Sequence, residues 1–102
     1  MKTPYSTISV KIINIDNKKL VGIEIELPNA PPLIILRGDK GFVMCGYLDI
    51  KVADKLGLVA ARVTGVRSIS EMLEKEIVEV TSKASEHGIL PGMKVKDIIS
   101  KL

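Results

Sequence analysis

The sequence predicts an α+β protein in which an amino-terminal antiparallel β-hairpin, used for oligomerisation, precedes a mixed sheet packed with short helices. Residues 7–27 alternate apolar and polar side chains as paired strands do. Residues 33–45 contain two continuous apolar runs, and helix-capping signals separate the later apolar segments. With 102 residues, of which 46% are hydrophobic and 26% charged, residues 1–102 form one globular domain.

The first two strands lie in residues 7–27. In STISVKIINID the apolar positions change parity after Ile12, which predicts either a strand with apolar groups on both faces or one with a bulge. After the turn DNKK, the segment LVGIEIEL places four apolar side chains on one face and two glutamates on the other. An isolated hairpin is marginal in water. We therefore expect this hairpin to pair with, or pack against, its copy in another subunit.

The segment PNAPP, residues 28–32, holds three of the five prolines. Because proline lacks a backbone donor, this segment is expected to interrupt the sheet and to divide the hairpin from an α/β portion, residues 33–102. There the runs LIIL and FVMC predict two strands buried on both faces. Gly38-Asp39 and Lys40-Gly41 are expected to supply the positive φ angles of the loop between them.

Helices and short strands alternate in the remainder. Asp49 is expected to cap a helix that buries Ile50, Ala53 and Leu56 and ends at Gly57. The segment LVAARVTGV, residues 58–66, predicts a central strand, and Ser68 or Ser70 caps the next helix.

The last third of the chain is less regular. Residues 76–80 fit a strand or a helix, and we favour a brief strand at 77–80 followed by a helix from Thr81 or Ser82 to Gly88. A final amphipathic helix would bury its apolar side, which consists of Val95, Ile98, Ile99 and Leu102.

A candidate site follows from two similar strand–loop–helix units, which contain CGYLD and TGVRSIS. If the two strands are parallel, both loops emerge at one edge of the sheet, where open α/β sheets bind ligands, and a small anion would fit there. The candidate ligand-binding residues are Cys45, Gly46, Thr64, Gly65, Arg67 and Ser68.

Cys45, the only cysteine, has two interpretations. Beside Arg67 at a helix start it would be a nucleophile or redox sensor, whereas among Phe42, Met44 and Leu48 it would be a buried, inert thiol. The buried interpretation is favoured. His87 is interpreted as a residue at a helix end, since no Cys-His or Ser-His-Asp spacing is diagnostic of catalysis.

Composition excludes several classes of function. One cysteine and one histidine cannot complete a zinc site, so neither a metal nor a cofactor is expected. The net charge of +3 is scattered and few aromatic residues accompany it, which disfavours nucleic-acid binding. No apolar run is long enough to cross a membrane and the first residues lack a signal-peptide core, so a cytoplasmic location is expected. Abundant lysine and absent glutamine resemble the composition of thermophilic proteins.

The runs APPLIIL, KGFVMCGYLDIKVADKLG, AARVTGV and EMLEKEIVEVTSKASEHGI closely resemble the YunC-like family of bacterial and archaeal domains of unknown function. The resemblance extends over residues 20–101. It implies an α+β fold whose amino-terminal β segment mediates formation of a homotetramer, and it implies no activity.

The leading hypothesis is a non-enzymatic, homo-oligomeric module that binds a small anionic ligand or a protein. The alternative is an enzyme with Cys45 as nucleophile and the backbone N–H groups near Gly46 and Gly65 as an anion cradle.

Overall fold

A six-stranded mixed sheet forms the centre of the computed structural model, which describes residues 8–102. The strands follow one another in the sheet in chain order: β1 (Ile8–Ile15), β2 (Lys18–Leu27), β3 (Ala30–Arg37), β4 (Gly41–Met44), β5 (Val59–Arg62) and β6 (Glu79–Val80). The helices are α1 (Ile50–Lys55), α2 (Ile69–Glu74) and α3 (Ser82–Glu86), and two 3₁₀ turns follow at Val95–Asp97 and Ile99–Lys101. Neighbouring strands are antiparallel except β4 and β5, which are parallel. The α+β class is therefore confirmed.

The amino-terminal hairpin is regular. Strands β1 and β2 pair without a register shift from Ile8 opposite Ile25 to Ile15 opposite Lys18. Asp16 and Asn17 form the turn with φ angles of 51° and 64°, the two positive values that a type I′ turn requires. The first strand thus carries apolar groups on both faces and contains no bulge. Residue 7 of the expected hairpin lies outside the described residues.

The predicted interruption at residues 28–32 is wrong. Pro28 and Asn29 form a tight turn, and β3 begins at Ala30 and pairs antiparallel with β2. The register between β2 and β3 shifts between Ile25 and Leu27, opposite Pro31 and Pro32. The two prolines therefore lie at an irregularity of the ladder, where no backbone N–H donor is needed. The sheet is consequently continuous from the hairpin into the α/β portion.

One face of the sheet, here called the inner face, carries the core. Leu36, Val43 and Ala61 are adjacent across β3, β4 and β5, and all three are buried. Helix α2 and the carboxyl-terminal 3₁₀ turns cover them; an added Cβ at Gly22 would lie 3.0 Å from Ile69 of α2, which shows how closely α2 approaches β2. The apolar residues of these covering elements are buried with the sheet: Ile69, Met72, Val95, Ile98, Ile99 and Leu102.

The opposite, outer face is covered only in part. Helix α1 packs against β5, and Ala60, which points outward from β5, is 1% exposed. By contrast Ile8, Val10 and Ile12 of β1 are 64%, 62% and 63% exposed. The expectation that the runs at 33–36 and 42–45 are buried on both faces is wrong, because their outward-pointing members, Leu33, Ile35, Phe42 and Met44, are only half-buried.

The loop between β3 and β4 has glycines where a side chain would not fit. Neither Gly38 nor Gly41 has a positive φ angle, contrary to expectation. A Cβ at Gly38 would lie 2.5 Å from the carbonyl carbon of Leu102, and one at Gly41 would lie 2.6 Å from the carbonyl oxygen of Val59. The two glycines therefore allow the end of the chain and β5 to approach this loop.

The helix signals in the sequence are confirmed at their starts. The side chains of Asp49, Ser68 and Thr81 accept backbone N–H groups of the first turns of α1, α2 and α3. Gly57 and Gly88 follow α1 and α3 with φ angles of 72° and 84°. The brief strand within residues 77–80 is present as β6.

Two details of the helix predictions are wrong. Leu56 is 68% exposed, because α1 ends at Lys55 and its only fully buried residue is Ala53. The last apolar segment forms two 3₁₀ turns in place of one α-helix, although its apolar side is buried as expected. Within residues 8–102, no helix is long and apolar enough to cross a membrane.

Candidate functional site

The loops after β4 and β5 emerge at the same edge of the sheet. The parallel pair continues beyond the strands, since Val63 donates its backbone N–H to the carbonyl of Met44 at 2.9 Å. Beside these loops lies a cavity of about 420 Å³, here called the loop cavity. It is lined by Pro31, Pro32, Cys45, Gly46, Tyr47, Gly65, Val66 and Arg67. Four of the six predicted site residues therefore meet in one place: Cys45, Gly46, Gly65 and Arg67.

Cys45 lies at the inner wall of the loop cavity. Its side chain is buried in the core cluster, and the residue is 4% exposed. The Sγ atom accepts the backbone N–H of Ile34 at 3.3 Å, and the backbone N–H of Cys45 donates to the carbonyl of the same residue. These contacts hold the thiol against β3 and support the interpretation of a buried cysteine. Cys45 is nevertheless one of the residues that line the cavity.

The loop after β5 supplies the cationic side of the cavity. Gly65 adopts a φ angle of 69°, a conformation that favours glycine, and Arg67 is exposed two residues later. The ammonium group of Lys75 also lies near this loop, 3.7 Å from the position of a Cβ at Gly65. Within residues 8–102, no Asp or Glu lines the loop cavity. Its electrostatic character is therefore positive.

Thr64 and Ser68 have other positions. Ser68 is the N-cap of α2, and its hydroxyl accepts the backbone N–H of Glu71 at 3.1 Å. The Thr64 methyl group and the guanidinium of Arg62 are the nearest groups to a Cβ at Gly46, at 3.9 and 4.0 Å. Arg62 in turn donates from Nε to Glu79 at 2.7 Å and forms an ion pair with it through Nη2. Neither Thr64 nor Ser68 lines the cavity.

Four residues that line the cavity were not among those predicted from the sequence: Pro31, Pro32, Tyr47 and Val66. Pro31 and Pro32 reach the site because β3 joins the sheet directly, and Tyr47 closes the gap by donating its hydroxyl to the carbonyl of Pro31 at 2.9 Å. A tyrosine two residues after Cys45 was a visible local signal. The proline contribution was not visible, because it depends on the long-range pairing of β2, β3 and β4.

The hairpin also contacts the second loop from the inner side. Glu24 of β2 is half-buried and accepts the backbone N–H of Ile69 at 2.7 Å. This carboxylate therefore accepts one of the N–H groups at the start of α2 that have no partner within the helix. Strands β2 and β3 therefore contact the start of α2 through Glu24 and the loop after β4 through Pro31.

Within residues 8–102, no His, Asp or Glu lines the loop cavity beside Cys45. His87 is the C-cap of α3, and its Nδ1 lies 2.8 Å from the carbonyl of Lys83. Helix α3 begins beside Leu58, at the other end of β5 from the loop cavity. The interpretation of His87 as a residue at a helix end is confirmed. Within the part of the chain that the structure describes, no three His, Cys, Asp or Glu side chains are grouped to hold a metal ion.

Comparisons with known proteins agree with this architecture. A family model described as a domain of unknown function (DUF1805) matches residues 44–102, which include both site loops. The uncharacterized protein YunC of Bacillus subtilis (strain 168) is 32% identical over 94 residues, covering 88% of this chain and 92% of that protein. The crystal structure of TA1206, a protein of unknown function from Thermoplasma acidophilum, superimposes with a TM-score of 0.90 at 36% identity, over 93% of this chain and 92% of the other. The chain therefore belongs to the YunC-like family that is defined by DUF1805.

Proposed function

We propose that this protein is a self-associating, non-enzymatic binding module, which assembles through its hairpin and takes a small anionic ligand in the loop cavity. The single observation that carries the proposal is the outer face of the hairpin. Val10 faces Ile23 and Ile12 faces Val21 across the ladder, so aliphatic side chains form an unbroken surface over β1 and β2. In a monomer the three aliphatic side chains on β1, Ile8, Val10 and Ile12, would be mostly exposed to water.

A second copy of the chain is the occupant that fits this surface. A two-fold axis would place the same aliphatic rows against each other, and such isologous packing needs no charged partner. Within residues 8–102, β1 is an edge strand, and it offers a second contact because its outward N–H and C=O groups can pair with the same edge of another copy. Two isologous contacts suffice to close a tetramer.

Substituting one aliphatic residue tests self-association. We expect Ile12→Lys to break the face-to-face contact and to reduce the tetramer to a dimer at most, since a lysine would place a charge in the apolar contact. The matched control is Leu56→Lys on α1, where the wild-type leucine is equally exposed at 68% but lies outside the hairpin. Native mass spectrometry and sedimentation of the three proteins give the masses. A wild-type protein that stays monomeric at high concentration contradicts the proposal.

The anionic ligand is proposed from the lining of the loop cavity. Its volume lies within the range of about 300–1,000 Å³ that is usual for small-molecule sites. Arg67 supplies a cation at the rim, and no carboxylate within the described residues opposes it. The backbone beside Gly46 is unobstructed, because the nearest atom to a Cβ there would be 3.9 Å away.

Titration with inorganic phosphate tests this part of the proposal. We expect amide NMR shifts at Gly46 and Gly65 that saturate, and an affinity about tenfold lower in Arg67→Gln, which removes the only guanidinium lining the cavity within residues 8–102. The control, Arg37→Gln, removes the same charge from the opposite end of the sheet, outside the loop cavity, and should leave the phosphate-induced shifts of Gly46 and Gly65 unchanged. If the amides respond to a protein partner but not to phosphate, the cavity is a protein-binding site.

The rival function is an enzyme with Cys45 as nucleophile, and the position of Cys45 beside the loop cavity keeps it open. Alkylation by iodoacetamide distinguishes the two. Because the thiol is buried, we expect the folded protein to react more than about tenfold more slowly than the unfolded chain. Equal rates, or faster reaction in the folded state, would favour the enzyme.

A further inference from the structure

A second cavity lies at the end of the sheet opposite the loop cavity. It is an open groove of about 620 Å³, here called the basic groove, between the outer face of the sheet and the segment that follows α1. Its apolar lining consists of Ile23, Ile35, Phe42, Leu58 and Val59. Polar and small residues complete the lining: Arg37, Gly38, Asp39, Lys40, Gly41, Gly57 and Lys83. The groove therefore combines an aliphatic and aromatic floor with a mostly basic rim.

The rim is available for a ligand. Arg37, Lys40 and Lys83 come from β3, from the loop after it and from α3, and within residues 8–102 none of the three forms an ion pair. Asp39 is the one acidic lining residue in this part of the chain, which leaves a net charge of +2 from three cations and one carboxylate. The fold thus brings Lys83 together with Arg37 and Lys40, from which it is far apart in the sequence, with one carboxylate among them.

We propose that the basic groove binds a linear acyl chain with a terminal carboxylate. The apolar floor would cover the acyl chain, and the carboxylate would meet the guanidinium of Arg37 and the ammonium groups of the rim. A volume of about 620 Å³ is in the normal range for small-molecule sites. This inference concerns a different cavity from the proposed anion site and does not depend on it.

A second copy of the chain fits the basic groove less well. If β1 of a second copy packed over the groove, its outward side chains, Ile8, Val10 and Ile12, would bring no negative charge to the rim. Packing of those residues over Arg37 and Lys83 would bury cations without partners, which is unfavourable. An amphipathic anion satisfies both the floor and the rim.

The test is an NMR titration at low ionic strength with hexanoate, octanoate and decanoate, using methyl-labelled protein. We expect saturable shifts at the methyl groups of Ile35 and Leu58, which line the groove and lie outside β1 and β2. Each additional pair of methylenes should tighten binding about ten- to fifteenfold, as the burial of apolar groups requires. The methyl groups of Val66, in the loop cavity, should not shift.

Charge reversal separates the head group from the chain. We expect Arg37→Glu and Lys83→Glu each to weaken decanoate binding about fivefold or more while leaving the binding of the neutral 1-octanol unchanged. Lys51→Glu, which makes the same charge change on the exposed face of α1, should bind decanoate like the wild type. NMR spectra of the variants that match the wild-type spectrum away from the substituted residue would show that the variants are folded.

Three results would overturn the proposal. The first is an absence of saturable decanoate binding in the wild-type protein. The second is equal binding of decanoate by the wild type and both charge-reversal variants. The third is a shift of the Ile35 and Leu58 methyl groups on dilution of the protein alone, which would show that a second copy fills the basic groove.

Discussion

The two faces of the same sheet differ in what covers them. On the inner face, Ile34, Leu36 and Val43 are 0% exposed beneath α2 and the 3₁₀ turns. On the outer face, the side chains of β1 stand mostly in water, although they are equally aliphatic. Hydrophobicity alone therefore does not identify the core of this chain. The inner face stabilises the monomer, whereas the aliphatic side chains of β1 on the outer face are mostly exposed.

The largest expected contrast is between isoleucines on opposite faces. We expect Ile34→Ala to lower the free energy of unfolding by about 2–5 kcal/mol, since it removes fully buried methyl groups and leaves a cavity. Ile12→Ala, at a residue 63% exposed, should cost the monomer less than about 1 kcal/mol. Urea unfolding below the association concentration measures both. Similar losses for the two variants would break the distinction between the faces.

The close approach of the chain end to the inner layer can be tested at Gly38. Because an added Cβ would lie 2.5 Å from the Leu102 backbone, we expect Gly38→Ala to cost about 1–3 kcal/mol by overpacking. Gly46→Ala is the matched control, since its nearest neighbour would be 3.9 Å away, and it should change stability by less than about 0.5 kcal/mol. Thermal unfolding compares them. A tolerated alanine at Gly38 would show that Leu102 does not pack there in solution.

A buried hydroxyl connects β5 to α3. Thr81 is 0% exposed; its Oγ1 donates to the carbonyl of Leu58 and accepts the N–H groups of Ala60 and Ala84. We expect Thr81→Val to cost about 1–3 kcal/mol, because these buried groups lose their partner while the shape of the side chain is kept. Thr81→Ser retains the hydroxyl and should recover most of the loss in urea unfolding. Equal destabilisation by both variants would instead assign the effect to the methyl group.

The smallest expected effect lies on the exposed surface. The pKa of Asp54 is held below its usual value of 3.8, chiefly by a hydrogen bond from the backbone N–H of Ser82 and to a lesser extent by one from the Ser82 side chain. Because the folded-state pKa is depressed, the stabilisation is present above about pH 4 and is lost as the pH falls through the folded pKa. Asp54→Asn should therefore show a slightly weaker fall in melting temperature between pH 5 and pH 2. If the melting temperatures of the wild type and of Asp54→Asn fell equally between pH 5 and pH 2, this linkage would be contradicted.

Local signals predicted much of the fold. The caps at Asp49, Ser68 and Thr81 and the terminators at Gly57 and Gly88 depend on bonds within a few residues, so the sequence locates them directly. The site could be predicted to the extent that it follows from strand–loop–helix order, which brought Cys45 and Arg67 to one cavity.

Long-range geometry limited the remaining predictions. Pro31 and Pro32 were expected to end the sheet, but a ladder irregularity opposite them removes the need for their missing donors. Gly38 and Gly41 were assigned to turn conformation, but they make room for Leu102 and Val59, which are distant in sequence. Neither contact leaves a local trace in composition or periodicity.

By itself the sequence determined the elements, their order and the presence of more apolar strand surface than one face requires, because propensity, capping and periodicity act over short distances. Tertiary structure alone decided which apolar surface is covered. Helix α2 and the 3₁₀ turns pack on the inner face, α1 covers only β5 on the outer face, and the aliphatic rows of β1 and β2 remain open. The physical reason is that hydrophobic burial is non-directional, so a pattern states that a face must be covered but not by which element or molecule.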